Sequence, residues 1–187
     1  MNTKKTVDQF RYDPATAAVF YRVREHWGAF SNFAPFPVAI ALLGETARFA
    51  TSEALYQALK HDDPHLQRQI AAAASPAEAK RLSWTRQCRD DLDLVAVMRW
   101  VVALKADQHL AATFGPLLRA TGERPIVEMS KVDAFWGAVA QPDGRLAGQN
   151  WLGRIWMDVR AAVVGGRWPD RALLTPPEGL VLFGQAL

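Results

Sequence analysis

Short apolar and β-branched runs dominate the first third of the chain and predict strands. Ala17–Tyr21 is short, aromatic and β-branched, which is typical of a strand. Val38–Leu42 and Thr46–Ala50 flank the turn pair Gly44-Glu45, so we expect a β-hairpin there. Further along the chain, Ile126–Met129 has the composition of one more brief strand.

Beyond residue 50 the spacing of apolar residues becomes helical. Thr51 or Ser52 is expected to cap a helix that begins with Glu53, an acid suited to the positive end of the helix dipole. Ser75–Glu78 is a capping box with proline at the first helical position, which predicts another helix start. Apolar residues that recur every three to four positions predict two longer helices, over 91–109 and 150–164.

These elements predict a compact single domain of the α+β class, mostly helical, with a small sheet and hairpin near its N-terminal half. We expect the domain to span residues 17–165. Residues 1–16 are polar and show no period, so they are predicted to form a loose arm. Residues 166–187 contain three prolines and are predicted to be a tail outside the domain.

Composition narrows the class of protein only slightly. The 187 residues include 22 Lys and Arg against 19 Asp and Glu, an excess compatible with a phosphate-bearing ligand. Cys88 is the only cysteine, which excludes a disulfide framework and a cysteine-based zinc site and fits a reducing compartment. The longest apolar stretch, around residues 33–43, is broken by Pro35 and Pro37 and is too short to cross a bilayer. We therefore expect a cytoplasmic protein with no membrane partner.

Several common catalytic motifs are missing from the sequence. It contains no Walker loop, no dinucleotide-binding glycine pattern and no serine nucleophile elbow. His61 and His65 have the spacing of a helical metal-ligand pair, but Pro64 between them favours a solvated loop. Cys88 lies among arginines, although an inert thiol is the better interpretation. We expect neither a bound metal nor a cofactor.

A first group of candidate residues lies on the helix predicted after Ser52. Glu53, Gln57 and Lys60 fall on one side of that helix, with Tyr56 among them. An acid, an amide and an amine in one file suit a sugar-bearing ligand. A solvated polar stripe is the alternative interpretation.

A second group follows the strand predicted at Ile126–Met129. Asp133 is suited to a sugar hydroxyl or to developing positive charge, and Trp136 offers a flat face to a base. Gly137 follows directly, and its backbone amide is a candidate phosphate contact. The alternative is a turn with a buried tryptophan.

A third group opens the last predicted helix. Asn150 is either a helix cap or a ligand-binding amide. Gly153 permits close packing of the helix or close approach of a ligand.

The fourth group is Phe30-Ser31-Asn32-Phe33, in which two polar residues lie between two rings after a glycine-containing loop. Backbone amides near Ser31 are further candidate phosphate contacts. Taken alone, the pattern indicates a turn.

Together and in order, these segments resemble the NADAR family, also called YbiA-like. The similarity spans about residues 18–164. It rests on these matching pieces: Phe30–Phe33, Thr51–Glu53, Tyr56–Ala58, Lys60, Ala79–Leu82, Val97–Trp100, Thr121-Gly122, Ile126–Glu128, Ser130, Asp133, Phe135–Gly137, Gly148, Asn150, Leu152–Arg154, Met157 and Arg160.

The resemblance implies a helix-rich α+β domain with N-glycosidase activity on a ribose attached to a nucleobase-like nitrogen. Two substrate classes occur in the family: phosphorylated ribosylamino-pyrimidine intermediates of riboflavin biosynthesis, and ADP-ribosylated guanine bases in nucleic acid. We expect the second, which would pair the protein with a toxin-like ADP-ribosyltransferase.

On this resemblance we expect Glu53, Lys60 and Asp133 to be catalytic. A carboxylate beside the anomeric carbon stabilises positive charge and orients water, whereas a desolvated lysine permits a Schiff-base route. Both routes are open from the sequence. The residues expected to bind substrate are Ser31, Asn32, Phe33, Tyr56, Gln57, Trp136, Gly137, Asn150 and Gly153.

The sequence departs from the family pattern at two places. Ala54 follows Glu53 where the family often has histidine, and no tryptophan stands in Arg89–Leu92 just before the long helix. A catalytically silent binder of ADP-ribose or NAD is therefore the alternative from another functional class.

Overall fold

The structure is a computed structural model that describes residues 10–187. The strands within this range are β1 (Phe10–Tyr12), β2 (Ala18–Phe20), β3 (Val38–Leu42), β4 (Glu45–Phe49), β5 (Ile126–Ser130), β6 (Ala138–Ala140), β7 (Leu146–Gly148), β8 (Val181–Leu182) and β9 (Gln185–Ala186). The helices are α1 (Ser52–Leu59), α2 (Pro64–Ala71), α3 (Pro76–Ser83), α4 (Leu94–Gln108), α5 (Gly115–Thr121), α6 (Trp151–Val164) and α7 (Arg171–Leu174). The expected α+β class with a helical majority is confirmed.

A mixed sheet forms one side of the molecule, with the strand order β1-β7-β6-β5-β2 over the described residues. Strands β2 and β5 are parallel, with Phe20 opposite Glu128, and β5 is also parallel to β6. The carboxyl ends of parallel strands meet at one edge of a sheet, where ligands of such folds commonly bind. The segments that follow β2 and β5 therefore emerge side by side.

The helices pack on this sheet and on one another around a single main core. Helix α4 packs on α1 and α6, and α6 packs on β5. The fully buried rings of Phe30, Phe114 and Trp156 pack together in this core. The ring centroid of Trp156 lies 4.9 Å from that of Phe30 and 4.9 Å from that of Phe114. Among residues 10–187, no helix is both long enough and apolar enough to span a membrane.

Helix α2 was not predicted, because Pro64 was interpreted as a breaker. In the structure Asp63 caps the helix and Pro64 occupies its first turn, where the missing N–H costs nothing. His61 is buried just before the helix, and its Nε2 lies 2.9 Å from the Ser83 hydroxyl. The solvated loop predicted for His61 and His65 is therefore wrong.

The two ends of the chain contribute to the fold more than the sequence predicts. Phe10–Tyr12, inside the segment predicted to be a loose arm, pairs with β7 at the edge of the sheet, while residues 1–9 lie outside the described range. In the predicted tail, Leu180 and Leu182 are buried in the main core. The side chain of Gln67 bonds to the backbone of Val181 and Phe183 and so fixes the tail to α2.

Candidate active site

A cavity of about 840 Å³ opens where the carboxyl ends of β2 and β5 face α1, α3 and α4. Its volume lies in the upper part of the range of small-molecule sites, roughly 300–1,000 Å³. Nine of the twelve predicted site residues line it: Ser31, Asn32, Phe33, Glu53, Tyr56, Gln57, Lys60, Asp133 and Trp136.

Helix α1 provides the polar floor of this cavity. Thr51 caps the helix by accepting a hydrogen bond from the Ala54 amide, as the sequence predicts. Glu53, Gln57 and Lys60 are only 6%, 2% and 7% exposed, respectively, yet all three line the cavity. The solvated stripe is excluded, because α2, α3 and α4 pack against the same helix.

Glu53 lies beside Gln57 on this floor. The Gln57 Nε2 donates a hydrogen bond of 2.8 Å to Glu53 Oε1. Burial raises the pKa of Glu53, although the bond from Gln57 and the positive charges of Lys80 and Lys60 oppose the rise. A carboxyl group in this position exchanges a proton closer to neutral pH than an ordinary glutamate.

The other amide atom of Gln57 has no partner. Its Oε1 is buried and accepts no hydrogen bond from any group in the part of the chain that the structure describes. A buried acceptor left unpaired costs about 1–3 kcal/mol. Because Gln57 lines the cavity, a ligand hydroxyl or N–H group is the natural donor to this oxygen.

Lys60 is the C-cap residue of α1. Burial lowers the pKa of its amine, against the opposing charges of Cys88 and Glu53, so more of it is uncharged at neutral pH than for an exposed lysine. Its Nζ lies 5.4 Å from the centroid of the Tyr56 ring. An amine of lowered pKa that lines a cavity has the properties of a nucleophile toward an electrophilic carbon.

Glu128, on β5, is a cavity acid that was not among the predicted site residues. Burial, with the negative charges of Asp133 and Glu53, raises its pKa to about 8. It is therefore mostly protonated at neutral pH and can donate a proton. In the sequence Glu128 lies just before the Asp133 group, and the structure shows that it lines the same cavity.

Asp133 lines the cavity and also organises the loop that follows β5. Its Oδ1 accepts hydrogen bonds of 2.9 Å from the amides of both Phe135 and Trp136. Trp136 is half-buried and meets Tyr56 edge-on, with ring centroids 5.7 Å apart. The segment is a turn with a packed tryptophan, as the alternative interpretation has it, and this turn forms one wall of the cavity.

The Ser31–Phe33 segment forms another wall. Asn32 uses its side chain internally, since its Nδ2 donates to Met98 Sδ at 3.0 Å and its Oδ1 accepts from the Ser52 hydroxyl at 3.1 Å. Amides near Ser31 were predicted to contact a phosphate. The amide of Ser31 itself donates to the Gly28 carbonyl instead. Phe33 is 37% exposed and presents its ring at the cavity.

Three predicted substrate-binding residues do not line the cavity: Gly137, Asn150 and Gly153. The Asn150 side chain is fully buried, where it donates to the Ile126 carbonyl and accepts from the Glu128 amide. A Cβ at Gly153 would lie 2.1 Å from the Ile126 oxygen, and one at Gly137 would lie 2.7 Å from the Glu128 oxygen. All three residues therefore serve close packing against β5, and their assignment to ligand binding is corrected.

The rim of the cavity adds residues that the sequence alone did not assign. Arg22 follows β2, Lys80 is on α3, and both line the cavity. Trp84 also lines it and is 69% exposed, with Lys80 Nζ 5.3 Å from its ring centroid. Trp100 is buried elsewhere and bonds to the Leu174 carbonyl, whereas Trp84 and Trp136 both line the cavity.

Over residues 10–187, no group of three or more His, Cys, Asp or Glu side chains is arranged to hold a metal ion.

Comparisons with known proteins agree with this geometry. The NADAR domain family matches residues 19–164 of the chain. An N-glycosidase of Nostoc punctiforme is 39% identical over 151 residues, which cover 77% of this chain and 90% of that protein. N-glycosidase YbiA of Escherichia coli is 34% identical over 145 residues, covering 75% of this chain and 84% of that protein.

A longer relative and a solved structure extend the comparison. A riboflavin biosynthesis protein of Vibrio vulnificus is 38% identical over 146 residues, which cover 75% of this chain and 37% of that protein. The NMR structure of the E. coli protein YbiA superimposes with a TM-score of 0.66 at 31% identity, covering 83% of this chain and 88% of that one. The match over most of the chain, in sequence and in fold, places this protein in the NADAR domain family.

Proposed function

We propose that this protein is an N-glycosidase that removes ADP-ribose from guanine bases in nucleic acid. One observation carries the proposal: α1 buries Glu53 and Lys60 on the floor of a cavity whose wall carries Glu128 and Asp133. The pKa of Glu53 and of Glu128 is raised by burial, and that of Lys60 is lowered by it. Groups perturbed in this way and gathered in one cleft are typical of an active site.

The general reaction is hydrolysis of an N-glycosyl bond. The relatives from Nostoc punctiforme and Escherichia coli are named N-glycosidases, and this chain covers most of their length. Membership in the NADAR domain family supports the same class of enzyme.

The bond to be broken joins the anomeric carbon of ribose to a base nitrogen. As it breaks, positive charge develops on the ribose, and negative charge on the leaving base must be neutralised by a proton. Glu128 is the proton donor, because its pKa of about 8 keeps it protonated at neutral pH. Glu53 lines the same cavity as Lys60, acts on its pKa electrostatically and balances the charge on the ribose side.

Lys60 is the nucleophile. Its uncharged amine forms a bond to the anomeric carbon while the bond from that carbon to the base nitrogen breaks and Glu128 protonates the nitrogen. The new secondary amine loses a proton to Glu53, and the ribose ring opens to a protonated imine as Glu53 returns that proton to the ring oxygen. Water then adds to the imine carbon, and departure of the amine releases the free sugar and restores Lys60. The proton that the water loses returns to Glu128. The lowered pKa of Lys60 favours this route over direct attack of water oriented by Glu53.

The rim supports a substrate larger than a ribosylated base. Arg22 and Lys80 supply positive charge for a diphosphate, and the exposed ring of Trp84 offers a stacking surface for a base. A cavity of about 840 Å³ has room for both parts of ADP-ribose. An ADP-ribosyltransferase that modifies guanine is the partner activity that would supply this substrate.

A second candidate is hydrolysis of a phosphorylated ribosylamino-pyrimidine. It is favoured by the names of two relatives, the riboflavin biosynthesis proteins of Vibrio vulnificus and Zea mays. This chain spans only 37% and 25% of those proteins, which is why it ranks second.

Parallel incubations test both candidates. The wild-type protein and Glu53→Gln are each mixed with DNA that carries ADP-ribosylated guanine and, separately, with the ribosylamino-pyrimidine phosphate. Release of ADP-ribose and recovery of plain guanine by the wild type alone is the expected result. Turnover of the pyrimidine alone establishes the second candidate, and tight binding of ADP-ribose without turnover by either protein establishes a non-catalytic binder.

A further inference from the structure

Lys105, on α4, carries a buried amine that the mechanism does not use. Its side chain is fully buried, and its Nζ donates hydrogen bonds of 2.7 Å to the carbonyls of Ala29 and Ser31. Within the described residues no carboxylate forms an ion pair with it. It does not line the cavity.

A buried amine without an acidic partner is unfavourable unless its surroundings compensate. Burial lowers the pKa of Lys105 well below its usual value. Three rings surround the Nζ, with centroids 5.3 Å away for Phe36 and Phe114 and 5.6 Å away for Trp156. Their faces attract a cation, and the two carbonyls accept its N–H groups. A leucine or methionine here would avoid the cost of burying the amine, so the bonds to the carbonyls are its distinctive contribution.

Those carbonyls belong to the chain segment that enters the cavity wall. Trp156 Nε1 donates to the carbonyl of Phe30 at 2.8 Å, between the two carbonyls bound by Lys105. The carbonyl of Asn32 accepts the amide of Glu53 at 3.1 Å. Each carbonyl from Ala29 to Asn32 thus has a fixed donor. Lys105 donates to two of the four, and at Ser31 it shares the carbonyl with the Ala34 amide.

Helix α4 contacts the same segment at a second point. Met98 lies seven residues before Lys105, two turns earlier on the same face, and accepts the hydrogen bond from the Asn32 side chain. Helix α4 therefore bonds to the backbone of the wall through Lys105 and to the Asn32 side chain through Met98.

We propose that Lys105 is a positioning residue that holds the Ser31–Phe33 wall in the geometry that binds substrate. It acts through the carbonyls of Ala29 and Ser31 and never touches the ligand. The effect on turnover rests on the proposed function, whereas the effect on the wall itself does not.

The test compares Lys105→Met, which keeps the length of the side chain and removes its N–H donors, with Leu118→Ala. Leu118 is fully buried in α5 and does not line the cavity, so its truncation lowers stability without touching the wall. Amide hydrogen exchange is measured for Ser31, Ala34 and Glu53, whose N–H groups bond within the wall or to it. Steady-state turnover is measured on the substrate that the wild type accepts.

In Lys105→Met we expect these amides to exchange about tenfold faster or more, because the carbonyls of Ala29 and Ser31 lose the N–H groups that Lys105 donates. The value of kcat/KM should fall by about tenfold to a hundredfold, mainly through a higher KM, because a small displacement of the wall misplaces the substrate. Leu118→Ala is measured at a temperature where its folded fraction matches that of Lys105→Met. There it should change neither the exchange rates of these amides nor kcat/KM by more than about threefold.

Equal exchange of the wall amides in the two variants would overturn the proposal, as would equal loss of kcat/KM. Where Lys105→Met does not fold, Lys105→Leu, which also removes the N–H donors, enters the same comparison with the same two outcomes. If the wild type turns over neither substrate, the proposed function fails, and the exchange rates still decide the role of Lys105.

Discussion

Gln57 donates a hydrogen bond of 2.8 Å to Glu53 from one turn further along α1, and both side chains are buried on the cavity floor. The bond fixes the orientation of a carboxyl group whose pKa is raised by burial. It also turns the Gln57 Oε1 away from Glu53, and that oxygen accepts no hydrogen bond from the described residues. The pair therefore combines a carboxyl group of raised pKa with an open hydrogen-bond acceptor.

Glu53→Gln is expected to reduce kcat by about 10²–10⁴-fold, the usual contribution of a positioned acid or base. The protein should fold normally, because an amide of the same size replaces the acid. The measurement is kcat on the accepted substrate, with thermal unfolding alongside. Glu178→Gln is the matched control, because Glu178 is exposed and lies outside the cavity. Wild-type turnover by Glu53→Gln would remove Glu53 from the mechanism.

Lys60→Met is expected to lower kcat by about a thousandfold or more, as removal of a nucleophile does. The direct test is borohydride reduction during turnover, followed by mass spectrometry of peptides. A sugar adduct on the peptide that contains Lys60 is expected in the wild type. Lys131→Met, which changes an exposed lysine outside the cavity, should give the same adduct and the same rate. Turnover without any lysine adduct would establish direct hydrolysis.

Glu128→Gln is expected to stabilise the protein at pH 8 and to have little effect near pH 4. The pKa of Glu128 is raised from 4.5 to about 8, so the unfolded chain loses this proton at a lower pH than the folded protein. Stability from this group is complete below its unfolded pKa and is lost as pH rises toward its folded pKa. Relative to the variant, the wild-type free energy of unfolding should fall by up to about 1.4 kcal/mol per pH unit in that window.

Urea unfolding at several pH values between 4 and 9 measures this difference. Asp143→Asn, at an exposed ion pair outside the cavity, provides a comparison that should show no such trend. A constant difference between wild type and Glu128→Gln across the range would mean that Glu128 titrates normally.

Trp84→Ala is expected to raise KM or the ligand Kd by about tenfold with little change in kcat, because stacking of one base on an aromatic ring contributes about 1–3 kcal/mol. Stability should hardly change, since the ring is 69% exposed. Trp84→Phe keeps a ring and should retain most of the affinity. Equal affinity of all three proteins would show that no base stacks on Trp84.

The sequence predicts α1 and its polar face well, because a capping residue and helical spacing act locally. Thr51 caps the helix, and Glu53, Gln57 and Lys60 share one side, as expected. Whether that side faces water or a cavity depends on α2, α3 and α4, which pack around it. Local spacing carries no information on that packing.

The site predictions that differ from the structure depend on contacts between segments that lie far apart in the sequence. Asn150 carries a side-chain amide of the kind that binds ligands. In the structure this amide forms hydrogen bonds with the backbone of β5, at Ile126 and Glu128. Glu128 is absent from the predicted site because the sequence does not show that the end of β5, from Glu128 to Ser130, lines the cavity. Pro64 illustrates a local error, since a proline after a capping aspartate starts a helix as readily as it ends one.

The last segment of the chain extends the folding unit past the homologous one. The family match ends at residue 164, yet Leu180 and Leu182 are buried in the main core and the Gln67 side chain binds the backbone of β8 and of Phe183. Helix α1 also contacts β8. Shortening the chain to residue 164 would uncover apolar surface directly behind α1, so experiments on an excised domain would report on a weakened scaffold.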